Sequence, residues 1–382
     1  MSTVPIIRVL LIATFLLSGP AADAATSYTD VFSTSGFGSW TTLFPAHVVD
    51  WDEDGWDDLL FAGSAPAPPR LFLNDQDGTF TERNDLLGPM QAASIVEFCF
   101  GDIDNDGHRD VAARLDGGSV TFYMGSDSGY VENAPATLSG ITFRWIGLAD
   151  TDVDGDLDLV GVLGDTALTC NLYVNDQLDF SAVFLADDAD RGAIGDLDGN
   201  GLVDVMVMHA RPANTNWVIP TALRNDGGNS FTAMANTGLP ALPHYAPRFF
   251  DYDNDGDLDA FVGSQDWGSP SQPWLIRNDG DWTFTDVSQP TMDIGNHYYA
   301  SAAVADHDRD GDLDYFTVMG AWTDAKLFQN DAGTFNDASA TYGISVGGGN
   351  TGKHGVWIDI DRDHDLDLFA LNHWNATGGW LF

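Results

Sequence analysis

Apolar and polar positions along this chain fall into short runs that recur in a fixed order. A run of small, aromatic and β-branched residues (PRFF at 247–250, AAVA at 302–305, GVWI at 355–358) leads into an aspartate-rich stretch. A second apolar run follows at once, as LLFAG at 59–63, LVGVL at 159–163, AFVGS at 260–264 and LFALN at 368–372. A third run ends in Asn-Asp (LFLND at 71–75, LRND at 223–226, LIRND at 275–279, LFQND at 327–331), and a fourth opens on an aromatic residue (FTER at 80–83, YVEN at 130–133, FTAM at 231–234, FTDV at 284–287, FNDA at 335–338). Such runs are strand-length, and Asn-Asp followed closely by Gly supplies the positive φ that a tight hairpin needs. Each unit therefore predicts four short antiparallel strands, A to D.

The polar stretch between A and B sets the period. In DYDNDGDLD, Asp251 to Asp259, a carboxylate stands at every second residue and the chain turns at Gly256. The same nine-residue pattern starts at Asp50, Asp102, Asp150, Asp196, Asp306 and Asp359, so successive starts lie 52, 48, 46, 55, 55 and 53 residues apart. A fixed period of this size marks a repeat architecture, and seven four-stranded units predict an all-β, seven-bladed β-propeller. GWLF at 379–382 reads as a strand C with no strand D after it, while SYTDV at 27–31 reads as a strand D. The N-terminal strand is thus expected to close the last blade and remove its exposed edge.

The chemistry of the loop calls for a hard cation. Positions one, three, five and nine offer side-chain oxygens and position seven a backbone carbonyl, the oxygen shell that calcium prefers. The predicted ligands are Asp50, Asp52, Asp54, Trp56 and Asp58; Asp102, Asp104, Asp106, His108 and Asp110; Asp150, Asp152, Asp154, Asp156 and Asp158; and Asp196, Asp198, Asn200, Leu202 and Asp204. The last three loops supply Asp251, Asp253, Asp255, Asp257 and Asp259; Asp306, Asp308, Asp310, Asp312 and Asp314; and Asp359, Asp361, Asp363, Asp365 and Asp367. Two carboxylates about 4 Å apart repel by roughly 4 kcal/mol at an effective dielectric near 20, so such a loop needs a cation, protons or an open conformation. A helical calcium hand would carry Glu at position twelve; here that position is Phe61, Ala113, Gly161, Val207, Val262, Thr317 or Ala370, so the loop joins strands. Up to seven calcium sites are expected. Asn200 lowers the charge of the fourth loop, and His364 puts a Cβ where the seventh needs a left-handed backbone, so these two should bind most weakly.

Composition adds the compartment. Arg8, the apolar run from Val9 to Leu17 and Ala22-Asp23-Ala24 read as a secretion signal over residues 1–24, leaving 25–382 as one exported propeller, extracellular or periplasmic. No later run is long or apolar enough to span a bilayer as a helix. The net charge of −43 argues against nucleic acid or an anionic membrane as partner. Of the 58 acids, 27 occupy side-chain ligand positions, and the rest still outnumber the bases. Cys99 and Cys170 sit in apolar strand-like runs and read as buried free thiols, with a disulfide as the alternative in an oxidising compartment.

The DxDxDGxxD loops and the LFxND…G.FTDV segments resemble the FG-GAP repeats of integrin α-subunit propellers and their bacterial relatives, the VCBS repeats, over residues 27–382. The resemblance implies that each loop is a calcium site joining strands A and B on one face of the propeller. That family includes adhesion proteins, lectin-like propellers and propellers attached to enzymes. On the opposite face, the D-to-A and B-to-C connections carry His244, Tyr245, Trp267, His297, Tyr298, Trp322, His354, His373 and Trp374, aromatic and hydrogen-bonding groups suited to a sugar or peptide; packing between blades is the alternative role. No HExxH, GxSxG, Cys-His pairing or phosphate-binding glycine loop is present. The expectation is a secreted, calcium-binding, non-catalytic module for adhesion to a glycan or extracellular protein. The alternative is an extracellular carbohydrate-active enzyme, a polysaccharide lyase or hydrolase.

Overall fold

The computed structural model of the protein describes residues 35, 37, 45–63, 67–164, 168–209, 218–242, 247–263, 273–292, 298–320, 325–344, 354–371 and 379–381. They form a β-propeller of antiparallel sheets, six of four strands and a seventh of three. The first sheet runs Ala46–Val49, Asp58–Phe61, Arg70–Asn74 and Phe80–Glu82. The second runs Ile95–Gly101, Asp110–Leu115, Val120–Met124 and Val131–Asn133, and the third Phe143–Ala149, Asp158–Leu163, Cys170–Asp176 and Asp179–Ala186. The fourth runs Ala189–Gly195, Asp204–His209, Thr221–Asn225 and Phe231–Ala233, and the fifth Arg248–Phe250, Asp259–Val262, Trp274–Asn278 and Phe284–Asp286. The sixth runs Tyr298–Ala305, Asp314–Gly320, Lys326–Asp331 and Thr334–Asp337, and the seventh His354–Ile358, Asp367–Leu371 and Gly379–Leu381. The signal segment and Ser27–Val31 lie outside the described residues.

Register follows from the loops. In every sheet the last residue of strand A pairs with the closing aspartate that begins strand B, as in Val49 with Asp58, Phe250 with Asp259 and Ile358 with Asp367. Strand B is apolar on both faces because each face meets a neighbouring blade. Leu59 and Phe61 pack with Phe369 and Leu381 of the seventh sheet, whereas Leu60 and Ala62 pack with Phe98 and Val111 of the second. The first and last sheets therefore share a core, into which Phe37 also inserts, 5.2 Å from Phe369 and 5.1 Å from Phe72 between ring centroids. Burying each such ring contributes about 1.5–3 kcal/mol, and this apolar packing between blades is what places the loops.

Candidate functional site

The seven Asp-rich loops share one local structure. Positions four and six both have positive φ: Glu53 with Gly55, Asn105 with Gly107, Val153 with Gly155, Gly199 with Gly201, Asn254 with Gly256, Arg309 with Gly311, and Arg362 with His364. These two left-handed residues fold the strand ends back so that alternate side chains converge. In the first six loops the position-six amide donates to the position-one carboxylate at 2.8–3.1 Å. The position-seven amide donates to the position-five side chain at 2.7–2.9 Å in all seven, Asn200 included.

The closing aspartate is buried in the first six loops, and its two oxygens have fixed duties. Oδ2 accepts the position-two amide (Trp51, Ile103, Thr151, Leu197, Tyr252, His307, Ile360) at 2.7–3.1 Å. Oδ1 accepts an amide from the end of strand C, from Asn74, Gly125, Asn175, Asn225, Asn278 and Asn330, at 2.7–2.8 Å. Burial outweighs these bonds and pushes the carboxyl up, to about 6 for Asp58 and Asp110, about 7 for Asp204, Asp259 and Asp367, and about 8 for Asp314. Burial, then the neighbouring carboxylate at position five, also raises Asp52, Asp104 and Asp253 at position three.

Oxygens are left over, and they test the fit to a cation. Asp50, Asp306 and Asp359 at position one, and Asp152 and Asp253 at position three, each bury an Oδ1 with no hydrogen-bond partner. Carboxylates of Asp50, Asp52 and Asp58, of Asp102, Asp104 and Asp110, and of Asp196, Asp198 and Asp204 bring ligand atoms within 4.8 Å of one another. Buried acceptors without donors are rare because they forfeit solvation. An oxygen-seeking divalent ion is the group that satisfies several at once, and the donor set of positions one, three, five, seven and nine, all oxygen and mostly carboxylate, fits calcium.

Adjacent loops are joined in two ways that sequence reading missed. First, the Asn of the Asn-Asp turn is buried and spans two blades. Nδ2 of Asn74, Asn175, Asn225, Asn278 and Asn330 donates to the position-two carbonyl of the preceding loop, at Ile360, Ile103, Thr151, Leu197 and Tyr252, over 2.7–3.0 Å. The same side chain accepts an amide of its own turn, as from Gln76, Gly227 and Gly333. Gly125 holds this place in the second sheet, where a Cβ would lie 2.3 Å from the Arg109 carbonyl oxygen. Second, position four reaches position seven of the next loop: Asn105 meets Asp156, Asn254 meets Asp312 at 2.8 Å, Arg309 pairs with Asp365, and Arg362 lies over the Trp56 ring.

The two divergent loops differ in outcome. Asn200 reproduces the aspartate geometry. His364 takes the expected left-handed conformation, φ 72°, and its Nδ1 stands 3.7 Å from Asp359 Oδ2, where the other loops place a glycine amide. His307, at position two of the sixth loop, adds an imidazole to the group with Asp308 and Asp314, its Nδ1 3.2 Å from Asp314 Oδ2. Burial lowers its pKa to about 4, which keeps the ring neutral. Cys99 and Cys170 are free thiols; Cys170 is buried and Cys99 partly so, and burial pushes Cys170 up to about 12.

The opposite-face residues His244, Tyr245, Trp267, His297, Trp322, His373 and Trp374 lie outside the described residues; for Tyr298 and His354 only the strand backbone is described.

Three segments, 50–113, 196–262 and 251–317, match the family described as FG-GAP-like repeat. No curated protein sequence matches the chain. Among solved structures, BBS1N from its complex with ARL6DN aligns at TM-score 0.50 and 11% identity, covering 94% of this chain and 97% of that one. A chain of the S. cerevisiae complex of dbp5 with nup159 and gle1 aligns at 0.51 and 11%, covering 94% and 96%. The V. cholerae biofilm matrix protein Bap1 aligns at 0.44 and 11%, covering 94% and 90%. At 11% identity the likeness to the first two is one of fold.

Proposed function

We propose, from the premise that this chain belongs to the FG-GAP-like repeat family, that it is a secreted, calcium-stabilised binding module with no catalytic role of its own. The observation that carries this reading is the convergence of carboxylates in loop after loop, with five of their buried oxygens unpartnered. In each loop the side chains of positions one, three, five and nine and the carbonyl of position seven would hold the ion. The ion would neutralise charge that otherwise drives the A–B connection apart. The loops stand at one end of every sheet and, apart from the first and second, each is bonded to the next, so calcium would stiffen that face and leave the other free to bind.

The same reading takes the molecule as a closed, seven-bladed ring. Its support is the core shared by the first and seventh sheets and the Asn74–Ile360 bond across that junction. The N-terminal strand at 27–31 would supply the fourth strand of the seventh blade. Export to an extracellular or periplasmic space, where calcium is plentiful, and a glycan or extracellular protein as partner complete the proposal.

Thermal unfolding in calcium and in excess chelator tests the metal role. Sites in extracellular modules have Kd on the order of 10⁻⁴–10⁻³ M, and each one filled to a hundredfold excess adds about 2.7 kcal/mol, so chelation should lower Tm steeply. Superimposable melting curves would refute it. A glycan array in calcium tests the binding role, and release of product from a polysaccharide would move the assignment to an enzyme.

A further inference from the structure

The chain carries only 15 Lys and Arg against 58 acids, yet three arginines face one cavity at the end of the sheets opposite the Asp loops. The cavity, about 440 Å³, lies between Arg114 at the end of strand B of the second sheet, Arg144 at the start of strand A of the third, and Arg191 in strand A of the fourth. Asp116, Thr142 and Gly117 complete the part of its lining that matters here. Three successive blades each contribute one guanidinium, and residues this far apart in sequence meet only because the blades are neighbours.

Two of the guanidiniums are held by carboxylates and the third by a main-chain carbonyl. Arg114 donates through Nε to Glu97 at 2.6 Å, Arg144 through Nη1 to Asp190, and Arg191 through Nη1 to the Asp190 carbonyl at 2.8 Å. Asp190 is buried, while the side chains of Arg144 and Arg191 keep about two-fifths of their surface open, 41% and 39%. A guanidinium has five N–H donors in a rigid fork, so each of these arginines is oriented by one edge and has donors to offer on another. Planar forks of this kind match a carboxylate bidentately, whereas ammonium groups act as point charges. Asp116 at the rim works against a polyanion and favours a ligand that also brings hydroxyl donors, for which Asp116 and the Thr142 hydroxyl are acceptors.

We propose that this cavity binds the carboxylate of an acidic sugar, a uronic acid residue, with Arg144 and Arg191 on the carboxylate and Asp116 and Thr142 on ring hydroxyls. Its volume suits one or two sugar rings. The proposal rests on the binding-module reading above and adds the ligand class and the place.

Ligand-observed NMR on the full chain in millimolar calcium tests it, with sodium glucuronate, its methyl ester and inorganic sulfate as probes. Saturable binding of glucuronate, none of the uncharged ester, and no displacement by equimolar sulfate are expected. Arg144→Gln should weaken binding at least about tenfold, the loss expected for one charged hydrogen-bonding partner. Gly117→Phe is the second variant: a Cβ there meets no atom within 4 Å, so a bulky side chain can be added beside the cavity without removing any of its charges, and binding should be lost at an unchanged Tm. Ester binding equal to acid binding, displacement by sulfate, or full affinity in Gly117→Phe would each overturn the assignment, as would no glucuronate binding at all. A chain that takes up calcium but no glucuronate removes this site alone; one that binds glucuronate and no calcium removes only the metal role.

Discussion

At the level of single residues, the closing aspartates make the ion-free molecule sensitive to pH in a direction opposite to the usual carboxylate. The folded pKa values of about 6 to 8 of Asp58, Asp110, Asp204, Asp259, Asp314 and Asp367 lie above the unfolded value of about 3.9, and burial raises Asp158 in the same direction, so folding favours the protonated form. The stability this gives is complete below the unfolded pKa and is lost as pH rises through the folded one. Calcium-free protein should therefore melt higher near pH 5 than near pH 8.5. With calcium in excess the order should reverse, because protons compete for the ligand oxygens at about pH 5. Melting curves at both pH values, with and without calcium, check the crossing; a calcium-free Tm that rises with pH would contradict it. His364→Gly should stabilise the seventh loop by about 1 kcal/mol, the cost of holding a Cβ in the left-handed region, and tighten its ion binding. The carboxylates that converge in each loop were legible because aspartate at alternate positions has few other uses. The second left-handed residue was not: Asn105, Asn254 and Gly199 suit it, but Glu53, Val153, Arg309 and Arg362 give no sign.

At the level of elements, strands A to D were legible from alternating apolar runs bounded by turn residues, and the structure places them there. What the Asn-Asp turn concealed was its second duty. Reading it as a hairpin signal was correct, since Asn278 Oδ1 does accept the Gly280 amide, but the same side chain also donates to Leu197 in the preceding loop. A bond between blades cannot be read from one repeat, because its acceptor is a backbone carbonyl 81 residues away. Asn278→Ala should cost about 1–3 kcal/mol for the buried groups it strands, and Asn225→Ala a similar amount, both measured by denaturant unfolding. A cost near zero at both positions would reduce these residues to turn formers.

At the level of the whole molecule, the repeat period foretold a propeller of successive four-stranded sheets, and apolar packing explains why they stack: strand B of the first sheet buries one face against the seventh sheet and the other against the second. The arginine cavity was invisible in the sequence because Arg114, Arg144 and Arg191 belong to three different repeats and lie off the recurring motif. If residues 27–31 supply the fourth strand of the seventh blade, as proposed, deleting residues 25–31 should lower Tm and promote association by exposing that sheet edge; light scattering on the shortened chain reads this directly. The central claim, that these loops exist to hold ions, is tested most directly by equilibrium dialysis against calcium. Uptake approaching one ion per loop, with the loops at Asp196 and Asp359 filling last, is the predicted result. No uptake at millimolar calcium by the folded chain would contradict the account.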